Sequence, residues 1–183
     1  MQVDTGDALE RKLFNQGKQA FVLDGNNIRF GLSADLGCSP QDRAENIRRV
    51  AEAARLFAEA GFVAITAFIS PYRFDRARAR WIMQREGLGV PFVEIYLSTP
   101  INVCEGRDPI GSYARTRTGQ IKDCAGVSAP FEPPDTRDVM IDTSVTSVGE
   151  SVTFLLDHLA HRIVVGTSRS RLDGPACCGF RGS

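Results

Sequence analysis

Apolar positions come in two rhythms along this chain, and their alternation predicts the architecture. Short apolar runs at Ala20–Leu23 (AFVL), Phe62–Ile69 (FVAITAFI), Phe92–Leu97 (FVEIYL) and Val139–Ile141 (VMI) read as strands. The second is continuous and free of charge, the pattern of a strand buried on both faces. Between these runs apolar residues recur at helical spacing. Ala8–Gln16 carries Ala8, Leu9, Leu13 and Phe14 on a predicted helix stopped by Gly17. Pro40–Ala60 predicts a long amphipathic helix with Ile47, Val50, Ala54, Leu56 and Phe57 inward, ended by Gly61. Ser39 is its expected N-cap and Pro40 its first helical residue. Phe74–Arg85 predicts a basic helix, Pro100 to about Gly106 a short one, and Ser147–His161 the last. Arg107–Pro134, rich in Gly and Pro, predicts a long irregular loop of the kind that serves as a lid or binding loop.

Strands alternating with helices predict an α/β fold, a parallel sheet with crossover helices on both faces. Ligands of such sheets sit outside the carboxyl ends of the strands, which directs attention to Asp24-Gly25-Asn26-Asn27 after the first run. Asp24-Gly25 is expected to close a turn, the glycine supplying the backbone angles of a sharp exit, with an Arg-bearing loop behind it. One domain over 1–165 is expected, followed by a disordered tail over 166–183, where apolar periodicity ends.

Composition narrows the partners. With 22 basic and 22 acidic residues the chain has no overall field for nucleic acid or an acidic membrane, so neither is an expected partner. Arg76, Arg78, Arg80 and Arg85 of the basic helix lack interleaved aromatics and are expected to form a solvated face. No apolar run is long enough for a bilayer, and MQVDTGDALER has no signal-peptide pattern, so the cytoplasm is the expected compartment. Cys38, Cys104, Cys124, Cys177 and Cys178 have neither zinc spacing nor a disulfide framework; they read as free thiols, with no metal held by protein ligands.

The stretch AFVLDGNNIRFGLSADLGCSPQDRAENIRR, Ala20–Arg49, resembles the DGDNxRxGL…DLGFxxxDRxENIRR segment of adenylyl-sulfate kinases. TAFISPYR (Thr66–Arg73), PFVEIYLSTP (Pro91–Pro100), VCEGRDP (Val103–Pro109) and FEPP (Phe131–Pro134) follow in the family's order, and the similarity runs from Ala8 to about Val165. The resemblance implies a P-loop kinase fold and a homodimer. It also implies ATP- and Mg²⁺-dependent phosphorylation of the 3′-hydroxyl of adenylyl sulfate, giving 3′-phosphoadenylyl sulfate in sulfate assimilation. Residue by residue, it places Asp24 and Ser70 in catalysis, Arg29, Arg43, Asn46, Ile69 and Ser70 on the substrate, and Arg107 and Asp108 near the nucleotide adenine. Arginine's planar fork suits an anionic sulfonucleotide; the alternative for Arg43 is a surface pair with Asp42 or Glu45. Ser70 matches a serine sometimes assigned as a phosphoserine intermediate. A nucleophilic serine needs an activating base, and the two histidines, His158 and His161, lie far along the chain, so Ser70 is expected to act as a substrate-contacting hydroxyl. For Arg107 and Asp108 the alternative is a plain turn.

Departures from the family pattern carry their own expectations. The phosphate-binding motif GxxxxGKS/T does not occur in these 183 residues, and ALERKLF matches the helix that follows it in the family. The sheet is therefore expected to lack its usual first interior strand, leaving Ala20–Leu23 and Phe92–Leu97 as its unpaired neighbours, as in a truncated or rearranged gene. Arg162–Gly166 (RIVVG) is one segment that would fold back into such a slot. Asn26 stands where the family has its second Asp, and an amide takes no proton at neutral pH, a loss of about 10²–10⁴-fold if that group acts as a base. Cys38 and Cys124 replace two phenylalanines that resemble an adenine sandwich, where stacking is worth roughly 1–3 kcal/mol per base. Ile110 replaces a lysine of the lid, leaving Arg115 and Arg117 as its cations. An impaired kinase is expected; the alternatives are a non-catalytic sulfonucleotide-binding or regulatory relative, or a degenerate fragment.

Overall fold

Two pairs of parallel strands carry the fold. The computed structural model describes residues 2–85, 90–108, 111–120 and 126–162. β1 (Ala20–Asp24) runs beside β2 (Val63–Ala67), with Ala20 opposite Val63 and Asp24 opposite Ala67. β3 (Ile95–Leu97) runs beside β4 (Val139–Ile141), with Ile95 opposite Val139. Among the described residues no ladder joins the two pairs.

Helices cover both faces, as the alternating pattern predicts. On one side α1 (Gln2–Asn15) and α7 (Val148–Leu159) bury Leu9, Leu13, Val152, Leu155 and Leu159 with Val139 and Ile141, and Val63, Ile65, Ile95 and Leu97 pack against that cluster. Both strand pairs thus share one core. On the other side α3 (Pro40–Glu59) brings Val50 and Ala54 to Leu23, Ala64 and Phe68, with α4 (Arg73–Gln84) beside it. Alternation along β2 explains the division, since successive side chains point to opposite faces. No described helix is long and apolar enough to cross a membrane.

The register shows which edge is open. Val63 N donates to Gln19 O at 2.8 Å, so odd-numbered residues of β1 turn their backbone groups toward β2 and even-numbered ones away. Side chains seal the outward groups: Glu10 Oε1 accepts from Val22 N (2.9 Å), Asn27 Nδ2 donates to Val22 O (2.9 Å), and Asn27 Oδ1 accepts from Asp24 N (3.1 Å). Among the described residues the break between the two pairs falls beyond β2, and the outer edge of β1 at Val22 and Asp24 is covered by these side chains. β2 is also not buried on both faces as its composition suggests: with a strand on one side only among the described residues, it is mostly half-buried and Thr66 is exposed.

Other differences have local causes. α1 begins at Gln2, not Ala8; Asp4 in its first turn complements the helix dipole, and Gly6 lets it approach β2. A Cβ on Gly6 would lie 3.2 Å from that of Ala67. α3 starts as expected, with Ser39 Oγ accepting from Asp42 N (3.1 Å) and Asp42 Oδ2 from Ser39 N (3.3 Å). Its inward stripe includes Ala51, while Leu56 is 59% exposed and Phe57 stacks on Phe21 at 4.9 Å. β3 is shorter than Phe92–Leu97 because Asp138 Oδ2 takes the amide of Glu94 at 2.8 Å. The stretch expected to be irregular contains α6 (Ser112–Arg117), after the predicted short helix α5 (Ile101–Gly106).

The basic helix is not a solvated face. Arg76 pairs with Glu94, Arg80 with Asp138 and Arg85 with Glu52, each at 2.8 Å, and Arg78 is exposed. Ile110, Cys124, Cys177, Cys178, Ile163–Gly166 and the tail over 166–183 lie outside the described residues.

Candidate functional site

The carboxyl end of the β1–β2 pair gathers most of the residues singled out from the sequence. Asp24, the last residue of β1, caps a short helix, α2 (Gly25–Arg29): its Oδ1 accepts from Asn26 N (2.9 Å) and Asn27 N (2.7 Å). Asp24-Gly25 therefore opens a helix and not a turn, and Gly25 is its first helical residue. Ile28 anchors α2 in the core beneath α3, leaving Arg29 exposed.

Two guanidinium groups sit on neighbouring carbonyls. Arg29 Nη1 donates to Gly37 O at 3.3 Å, and Arg43 Nε, from the first turns of α3, donates to Cys38 O at 3.0 Å. Gly37 packs closely here: a Cβ would meet Asp42 Oδ2 at 2.8 Å and displace that carboxylate from Ser39. The acids considered as surface partners of Arg43 have engagements of their own. Asp42 is held by Ser39, and Glu45 is bound by Arg48 (2.7 Å) and Arg49 (3.0 Å). Hydrogen bonds from Arg48 and then Arg49 hold the Glu45 carboxyl down at about 2.

Asn46 lies three residues beyond Arg43, on the same helix face. Its Oδ1 is buried and has no hydrogen-bond donor among the described residues. A buried acceptor left without a donor costs roughly 1–3 kcal/mol, and such groups ask for a partner. Ile69 and Ser70 follow β2, two and three residues beyond Ala67, the ladder partner of Asp24; Ile69 is exposed and Ser70 half-buried. The Ser70 carbonyl accepts from Arg76 Nη1 at 2.6 Å, and the carbonyl of buried Pro71 accepts from Glu132 N at 2.8 Å.

Asp75 was not signalled by any motif. It occupies the first turn of α4 and is 5% exposed. Burial pushes its carboxyl above the ordinary range; Arg78 opposes that shift, Glu132 adds to it, and Arg76 opposes it. An acid three residues after Ser-Pro-Tyr, in the first turn of the helix that begins there, is the one sequence signal that marks it.

Arg107 and Asp108 stand at the carboxyl end of the other strand pair and have structural partners. Arg107 Nη2 donates to Thr143 O (2.9 Å) and Nη1 to Thr143 Oγ1 (3.3 Å), beyond β4. Asp108 Oδ1 accepts from Ser112 N (2.8 Å), and its Oδ2 from Tyr113 N (2.8 Å) and Ala114 N (3.1 Å). Asp108, three residues before the N-cap Gly111, thus closes the amide end of α6. A nucleotide triphosphate needs free backbone amides at a glycine-rich turn or helix start. Among the described residues Asp108 occupies the first amides of α6, and Gly6 of α1 is packed on Ala67. Of the lid cations, Arg117 pairs with Glu105 at 2.6 Å, and Arg115 is exposed. Cys38 and Cys104 are free thiols.

Comparison with known proteins bears on the family and the fold. The sequence model of the adenylylsulphate kinase family matches residues 4–142. The adenylyl-sulfate kinase of Shewanella pealeana is 46% identical over 162 residues, 88% of this chain and 77% of that protein. That of Clostridium kluyveri is 43% identical over 155 residues, 85% of this chain and 75% of the relative. Among solved structures, the Mycobacterium tuberculosis APS kinase CysC in complex with AMPPNP and APS superposes with a TM-score of 0.83 at 38% identity, covering 87% of this chain and 90% of that one. A hexameric APS kinase from Thiobacillus denitrificans superposes at 0.63 with 28% identity, covering 87% of this chain and 26% of that one. The α/β fold, the ordered motifs and these matches together establish that the chain belongs to the adenylylsulphate kinase family.

Proposed function

We propose that the chain binds adenylyl sulfate at the carboxyl end of the β1–β2 pair, in the site of a kinase that phosphorylates its 3′-hydroxyl from ATP and Mg²⁺. The observation that carries this reading is the cluster of Arg29 and Arg43 on adjacent carbonyls with the unpartnered acceptor of Asn46 one turn along. The guanidinium groups take the phosphosulfate anion, and Asn46 Oδ1 takes a donor from the adenosine part. Ile69 supplies an apolar wall, the Ser70 hydroxyl a substrate contact, and Asp24 the carboxylate nearest the reacting hydroxyl. Arg107 and Asp108 shape the adenine side of the nucleotide site through Thr143 and α6. The domain is taken as 1–165, in the cytoplasm and as a homodimer.

The 183-residue chain by itself is proposed to transfer phosphoryl poorly. Phosphoryl transfer is mostly positioning and charge stabilisation; the motif that supplies the cradle does not occur in the sequence, and Asn26 replaces an acid of DGDN. Those two features favour a second reading, a sulfonucleotide-binding relative without turnover.

Two measurements on the purified chain test both readings. One titrates adenylyl sulfate into wild type and Arg43→Ala; the other follows 3′-phosphorylated product with ATP and Mg²⁺. Binding weakened roughly tenfold or more by Arg43→Ala, the scale of a lost charged hydrogen bond, supports the site. Product above the no-enzyme control supports the kinase and overturns the impairment, whereas binding without product supports the second reading. No binding by wild type sinks the site.

A further inference from the structure

Arg76 is the most densely committed cation among the described residues of α4. Its Nε donates to Glu94 Oε1 (2.8 Å), its Nη1 to Ser70 O (2.6 Å) and its Nη2 to Glu132 O (2.7 Å). The guanidinium carbon lies 5.8 Å from the centroid of Phe131, which in turn stacks on Tyr96 of β3 at 6.0 Å. Glu132 completes the closure, its amide on Pro71 O and its Oε2 accepting from Arg73 N, both at 2.8 Å. One side chain, 11% exposed, therefore ties four pieces together: the exit of β2, α4, β3 and the segment 131–134. Because no ladder joins β2 to β3 among the described residues, this contact does across the break what backbone pairing does elsewhere.

We propose that Arg76 is a positioning residue for the sulfonucleotide site, fixing the Ser70 carbonyl, and with it the Ile69–Ser70 wall, against Phe131–Pro134. The inference rests on the reading of Ile69 and Ser70 as substrate contacts. Three acceptors in three directions demand a planar fork; a lysine ammonium at the end of a flexible stem does not reach all of them at once. Arg80 is the natural control. It sits one turn further on, pairs with Asp138 at 2.8 Å and lies 4.7 Å over the Phe92 ring; it shares Glu94 with Arg76 at 3.6 Å, but its hydrogen bonds go to Asp138 and Phe92 O and not to the Ser70 loop or 131–134.

The test compares wild type, Arg76→Gln, Arg76→Lys and Arg80→Gln. Thermal stability, adenylyl sulfate affinity and amide hydrogen exchange over residues 69–73 and 131–134 are read for each. Arg76→Gln is expected to raise exchange in both segments and to weaken binding roughly tenfold; Arg76→Lys recovers little of either. Arg80→Gln, at a similar loss of melting temperature, leaves both near wild type. Unchanged exchange in Arg76→Gln overturns the proposal, and so does an Arg80→Gln variant that matches it in exchange and affinity. If wild type does not bind adenylyl sulfate, the functional reading falls on its own, and the exchange data still decide whether Arg76 positions the loop.

Discussion

Asp75 is a carboxylate held mostly away from water, and its ionisation works against the fold. Burial is the largest influence on it; Arg78 and Arg76 pull the other way, Glu132 adds repulsion, and the net leaves its folded pKa above the unfolded value of 3.8. The folded state then holds its proton more tightly than the unfolded one, and stability falls as pH rises from that value through the folded pKa. Asp75→Asn removes the charge with little change of shape. It should raise the melting temperature by a few degrees at neutral pH, and the gain should vanish in acid, where Asp75 is protonated in both states. A gain that persists at pH 3 would mean the effect is not electrostatic. Asp108 gives the opposite case, a charge in its proper place: its carboxylate satisfies the amides of Ser112, Tyr113 and Ala114 at the start of α6. Asp108→Ala should cost about 1 kcal/mol, the usual worth of a helix cap, with faster exchange confined to residues 112–117. Asp108→Asn should retain part of the cap, because an amide oxygen still accepts.

Among the elements, the first helix departs furthest from the sequence pattern. Apolar periodicity starts at Ala8, yet α1 extends back to Gln2 and presses Gly6 onto β2, close to Ile65, Ala67 and Val22. Gly6→Val puts a branched side chain where even a Cβ is tight, and overpacking of this kind costs roughly 1–3 kcal/mol. Urea unfolding of Gly6→Val should show a lower midpoint with an unchanged slope; no shift would mean that this part of α1 does not rest on the sheet. The contrast with α3 shows what sequence can and cannot convey. Ser39, Pro40 and a regular apolar stripe are local signals, and they place α3 within a residue of its observed start and end. Gly6 against Ala67, Asp138 on the amide of Glu94, and Asp24 capping α2 depend on partners or geometry that no local rule reports. The same holds at the site. Arg29, Arg43 and Asn46 were legible because their motif is contiguous, whereas the grip of Arg76 on Ser70, Glu94 and Glu132 joins three separate segments of the chain.

At the scale of the molecule the question is whether the break beyond β2 divides it. Among the described residues the break is crossed by the core shared by α1, α7 and both strand pairs, and by polar ties from the β2 exit and α4 to the other pair and segment 131–134, those of Arg76 and Arg80 and the Pro71–Glu132 bond among them. The core is the stronger of the two. Leu13, fully buried in α1, belongs to a cluster that includes Val139 and Ile141 and has Val63, Ile65, Ile95 and Leu97 packed against it. Small-to-medium domains with one contiguous core usually unfold in a single step, so the two strand pairs are expected to melt together despite the missing ladder. The protein carries its own reporter, since its single tryptophan, Trp81, lies on α4 and is 60% exposed. Fluorescence from Trp81 and far-UV circular dichroism should give coincident urea transitions. Leu13→Ala should move both together by about 2–5 kcal/mol, the range for deleting a buried leucine side chain. Separate transitions in wild type, or a Leu13→Ala variant in which the two signals part, would show that the strand pairs are independent units and that the shared core does not bind them into one.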